Sequence, residues 1–72
     1  MNDFRYEIVK NVGVLSVSER GWRKELNLVS FNNLDPKYDI REWSPDRAKM
    51  GKGIRLDRSE LLKLHELIDD LD

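Results

Sequence analysis

The sequence predicts an α+β domain: a sheet of four or so successive extended runs, then one C-terminal helix. Three observations carry this reading. Runs of alternating bulky and polar residues, separated by turns and loops, occupy the chain before Asp57. Leucines at helical spacing begin only after Asp57. A length of 72 residues leaves room for one domain, taken as 1–72.

The first run, Phe4-Arg5-Tyr6-Glu7-Ile8-Val9-Lys10, alternates as a strand does. Asn11 and Gly13 then predict a bulge near Val12, and Val14 to Ser18 continues the strand, giving bounds of about 4–18. Ser18-Glu19-Arg20-Gly21 is a turn, with Gly21 available for a positive φ. The second strand is 22–31. Leu26 and Leu28 share its core side, while Arg23, Asn27 and Phe31 share the other. A loop at 32–36 leads to a third strand at 37–43, where Tyr38, Ile40 and Glu42 oppose Lys37, Asp39, Arg41 and Trp43. Ser44-Pro45-Asp46 breaks that strand, 47–53 is a basic glycine-containing loop, and a short fourth strand covers about 53–56. The helix spans about 58–71. Asp57 is its N-cap, Glu60 completes a capping box, and Leu61, Leu64, Ile68 and Leu71 form one stripe. Phe4, Tyr6 and Tyr38 are assigned to the core. One helix covers one sheet face, so the face carrying Arg23, Asn27, Phe31, Lys37, Arg41 and Trp43 is expected to lie open to water.

Composition narrows the function. With 39% apolar and 38% charged residues and a mean hydropathy of -0.69, the chain is foldable and highly charged. No apolar run approaches a membrane span, and the acidic Met1-Asn2-Asp3 opening lacks a signal-peptide pattern, so a cytoplasmic protein is expected. Cys is absent and His65 is the only histidine, which excludes disulfides and a Cys/His zinc site. A core of this size supplies roughly 3–5 kcal/mol, and the remaining staple is oligomerisation, so a homodimer is expected.

No residue set supports catalysis, and neither a cofactor, a metal nor a small-molecule substrate is expected. His65 sits among helix leucines, where structural packing is the plain reading. The Gly51-Lys52-Gly53 run lacks the spacing of a nucleotide-binding loop, since Ile54 stands where Ser or Thr is required. The overall charge of -1 hides an asymmetry: residues 20–55 carry 9 basic and 5 acidic groups, whereas 56–72 carry 2 and 6. Within the basic stretch, Trp22, Phe31, Tyr38 and Trp43 are interleaved with Arg20, Arg23, Lys24, Lys37, Arg41, Arg47, Lys49 and Lys52. Cations that neutralise a backbone beside flat rings that stack on unpaired bases suit single-stranded nucleic acid.

Several segments together resemble one family. DIREW at 39–43, then Lys52-Gly53-Ile54 with Leu56, then an amphipathic helix, occur in the order found in the transcriptional coactivator family positive cofactor four. The stretches GWRKELN, PKYDIR, WSPD and KMGKGI, at 21–27, 36–41, 43–46 and 49–54, look closest to its bacterial YdbC-type branch. The resemblance implies a curved antiparallel sheet of four strands followed by a helix, and a homodimer packed through its helices. It implies single-stranded-DNA binding on the concave face with little sequence preference. By that match Phe31 and Trp43 stack on bases, and Arg41, Lys52 and Lys37 contact the backbone. Against the eukaryotic members, the segment between Trp43 and Lys52 is shorter, Glu42-Trp43 replaces a Tyr-Trp pair, Trp22 replaces a basic residue, and the Ser-rich acidic tail is missing.

The expected interface is therefore Trp22, Arg23, Lys24, Asn27, Phe31, Lys37, Arg41, Trp43, Lys49 and Lys52. The expected dimer contacts are Leu61, Leu64, His65 and Ile68. The function read is a non-enzymatic single-stranded-DNA-binding protein acting in transcription regulation or in DNA replication or repair. RNA is the other strand this chemistry admits. The alternatives are a protein-interaction module using the same face and, behind it, a duplex-DNA regulator.

Overall fold

The computed structural model describes residues 5–71. Strand β1 spans Tyr6–Val17, β2 Arg23–Phe31, β3 Lys37–Trp43 and β4 Ile54–Leu56, and helix α1 spans Arg58–Asp69. The strands pair antiparallel in sequence order, an open meander with β1 and β4 at its edges. The start of the first predicted run, at Phe4, lies outside the described residues.

Turn chemistry sets the connections. Gly21, at φ +84°, closes the β1–β2 turn by donating to Ser18 O at 2.9 Å. Asn32 and Asn33 both take left-handed backbone after β2, a conformation asparagine tolerates. Ser44 Oγ holds Asp46 Oδ1 at 2.7 Å and accepts from the Lys49 N–H at 3.0 Å, so 44–49 is a tight hairpin loop and not a loose basic one. Gly53 runs so close to β3 that a Cβ there would lie 2.6 Å from both Ile40 O and Arg41 Cβ.

β1 carries one extra residue at each of three places, Val9, Val12 and Leu15, where its register against β2 shifts. Bulges bend a strand and tighten its twist, and this sheet is strongly curved. Phe31 ends β2, whereas Trp43 pairs with Arg23 at its start. A straight strand of nine residues would separate those ends by about 26 Å. Yet the Tyr6 ring is centred 6.4 Å from Phe31 and 5.3 Å from Trp43. That face is therefore concave.

The helix lies against the opposite, convex face at β3 and β4. Leu15, Leu26 and Ile40 meet Leu61, Leu64 and Ile68 around an apolar groove of about 520 Å3. The capping box is complete: Asp57 Oδ1 accepts from the Glu60 N–H, and Glu60 Oε1 accepts from the Asp57 N–H, both at 2.9 Å. No helix residue is buried, and Leu62, Leu67, Ile68 and Leu71 stay exposed. Leu26, Leu28, Tyr38 and Ile40, expected in the core, are only half-buried. A single helix on the outside of a curved sheet leaves most of that side uncovered.

Candidate nucleic-acid interface

The two parities read from sequence do share faces. Register brings Asn27 opposite Asp39, Arg23 opposite Trp43, and Leu26 opposite Ile40. The expected openness is corrected. Asn27 and Trp43 are 0% exposed and Phe31 5%, so the face expected in water holds the buried residues. The physical reason is curvature, since side chains on the inside of a bent sheet converge and cover one another.

Polar groups form the floor of this concave face. Glu25, between Arg23 and Asn27, has no exposed surface. Its carboxylate accepts from Asn27 Nδ2 at 3.1 Å, Asn11 Nδ2 at 3.3 Å, Arg23 Nε at 3.2 Å and Arg47 Nη2 at 2.7 and 3.0 Å. Burial pushes the Glu25 carboxyl up. Hydrogen bonds from Asn27 and Arg47, the Arg47 charge and the Arg23 hydrogen bond outweigh it and hold the group below its usual value. Asp39, also fully buried, takes Arg41 Nε and Nη2 at 2.6–2.9 Å.

Rings and guanidiniums cover the floor. Arg41 and Arg55 are centred 5.2 and 4.7 Å from the Phe31 ring, and Arg47 5.4 Å from the Trp43 ring. These are cation–π distances. Arg47 reaches Trp43 and Glu25 because it takes left-handed backbone, φ +61°, inside the hairpin loop. Trp43 Nε1–H is buried and has no acceptor among the described residues, a rare state for an indole donor.

Of the expected interface residues, Arg23, Asn27, Phe31, Arg41 and Trp43 come together here, with Lys37 beside Phe31 and Arg55 at the rim. Lys24 does not. It pairs with Glu42 on the opposite parity and borders a separate cleft with Lys52 and Gly53. Trp22 is half-buried at the β1–β2 turn, where its backbone N–H donates to Ser18 Oγ, and Lys49 is exposed in the hairpin loop. Gly53 serves the close approach of β4 to β3, so an anion cradle is not needed to explain it. His65 is exposed on the single chain and sits 3.2 Å from Asp69. Tyr6, expected in the core, is 38% exposed on the concave face, and Glu25, Asp39, Arg47 and Arg55 join that face from outside the expected interface. Glu25 and Asp39 share the parity of Phe31 and Trp43, a visible signal. Nothing local marks Arg47. Among the described residues no group of three or more His, Asp or Glu could hold a metal ion, and no helix is long and apolar enough to cross a membrane.

The family model described as Transcriptional Coactivator p15 (PC4) matches residues 18–67, more than half of the chain. The chain belongs to the PC4 family. The match takes in all of the concave face except β1. The PC4 family binds single-stranded DNA and is not a family of enzymes. An uncharacterized protein of Treponema pallidum (strain Nichols) is 49% identical over 70 residues, covering 97% of this chain and 82% of that protein, in keeping with a bacterial PC4-like branch.

Proposed function

We propose that this chain is a homodimeric, non-enzymatic protein that binds single-stranded DNA on its concave face with little sequence preference. The observation that carries the reading is the stacking of arginines on Phe31 and Trp43 across a curved sheet. Rings that can stack on bases are thereby interleaved with cations that can neutralise phosphates. Phe31 and Trp43 stack on bases. Arg23, Lys37 and Lys49, with Lys24 and Lys52 from the neighbouring cleft, engage phosphates, and Trp22 extends the ring surface. Asn27 and Arg41 serve mainly as the floor, since their polar atoms are already hydrogen-bonded to Glu25, Asn11 and Asp39.

Homodimerisation is supported by the apolar groove around Leu61, Leu64, His65 and Ile68, which one chain leaves open. A cytoplasmic role in transcription regulation or in replication or repair fits such a protein. Intrinsic Trp fluorescence during titration with a ~20-nucleotide oligo-dT at two salt concentrations tests the reading. Salt-sensitive quenching that saturates near one strand per dimer is expected. Absence of quenching by a folded protein at low salt overturns it in favour of a protein-interaction module.

A further inference from the structure

We propose that Arg55 is a nucleic-acid contact of the concave face: its guanidinium rests on Phe31 in the free protein and exchanges that seat for a phosphate of the bound strand. This rests on the reading of that face as a single-strand binding surface, and it assigns a phosphate contact to a residue that reading does not name among its phosphate contacts.

The guanidiniums on this face are not equivalent. Arg41 is held by both oxygens of Asp39, and its Nη1 reaches Gly51 O at 3.4 Å and Met50 Sδ at 3.1 Å. Its side chain is only 12% exposed. Withdrawing it would strand a buried carboxylate, a costly outcome. Arg23 and Arg47 are both held by Glu25. Arg55 is exposed, and among the described residues its guanidinium makes no hydrogen bond or ion pair. Its contact is the Phe31 ring, centred 4.7 Å away. The backbone beneath is fixed, because Arg55 pairs with Asp39 in the ladder and Gly53 seats β4 tightly on β3. A rigid base thus carries a side chain with its N–H donors unspent.

Exchange follows from the burial of Phe31. Little of its ring is open, so a base gains stacking area there only as a cover leaves. Arg55 gives up one cation–π contact in leaving. It gains a charge-assisted, two-pronged hydrogen bond to phosphate, the geometry a guanidinium favours. Lys37 borders the same small notch of about 40 Å3 with Phe31 and Arg55, which places a second cation beside the path of the strand. Asp35 borders it as well and keeps the notch from being purely basic.

The test is fluorescence anisotropy with a labelled ~20-nucleotide oligo-dT at a series of salt concentrations. It compares the unaltered protein, Arg55→Ala, Arg55→Lys, and Lys63→Ala as an equal charge loss on the exposed side of α1. Arg55→Ala should weaken binding about tenfold and lower the salt slope by roughly 0.7, one phosphate contact on a single strand. Arg55→Lys should keep the slope and recover only part of the affinity. Thermal melts confirm that each variant is folded. If the unaltered protein binds and Arg55→Ala matches Lys63→Ala in affinity and slope, the assignment of Arg55 fails while the face stands. If the unaltered protein does not bind, the single-strand reading fails, and this proposal with it.

Discussion

Trp43 combines a fully buried ring with an indole donor that has no acceptor among the described residues. Tyr6 and Arg47 cover the ring, so a base reaches it only as a cover shifts, and an oxygen of the strand can then pair with Nε1. Trp43→Leu keeps apolar bulk but removes the stacking platform. It should weaken oligo-dT binding by ~1–3 kcal/mol with the salt slope unchanged, measured by anisotropy titration. Lys52→Ala should do the converse, lowering the slope by roughly 0.7 with a modest loss of affinity. Glu25 is the least expected residue on a face that is to meet a polyanion. Its carboxylate gathers Asn11, Asn27, Arg23 and Arg47 into one network, so Glu25→Gln leaves two arginines without their anchor. Although that change removes a negative charge from the face, it should lower thermal stability, a result a differential scanning melt reads directly.

Among the elements, β4 and α1 are short and depend on a few contacts. Gly53→Ala would drive a methyl group into the β3 backbone and should cost ~1–3 kcal/mol in chemical denaturation. The capping box makes the helix start the best-defined boundary in the chain, and it was legible because Asp57 and Glu60 stand at the required spacing. Strand parity was legible too, since a period of two fixes which residues share a face. The bulge near Val12 was marked by Gly13, but those at Val9 and Leu15 carry no glycine or proline to announce them. Sheet curvature is set by such register shifts between strands, and no single run of sequence contains it. For that reason Asn27, Phe31 and Trp43 were placed on the correct face and given the wrong exposure. Arg47 illustrates a second limit: its reach to Trp43 and Glu25 depends on a left-handed residue within a hydrogen-bonded loop, which spacing alone does not reveal.

For the whole molecule, the concave side is packed and most of the convex side is uncovered. A charge on the exposed helix stripe, as in Ile68→Asp, should shift the protein from dimer to monomer in light scattering after size exclusion. Its concave face and far-UV spectrum should be largely retained. Acid should destabilise the fold. The carboxyls of Glu25, Asp46 and Asp57 all lie below their usual values, so each contributes stability at neutral pH that is lost as pH falls through its folded value. For Glu25, burial opposes the shift, and hydrogen bonds from Asn27 and Arg47 overcome it. The backbone N–H of Ala48 holds Asp46, and that of Glu60 holds Asp57. Melting temperature should therefore be flat near neutrality and drop below about pH 4, with part of that drop missing in Glu25→Gln. The spacing of the β1 bulges has another result. β1 is an edge strand, and Val9, Val12 and Leu15 interrupt its ladder every third residue. A foreign strand approaching that rim finds no continuous row of donors and acceptors to copy. The bulges thus guard a long valine-rich border against strand addition.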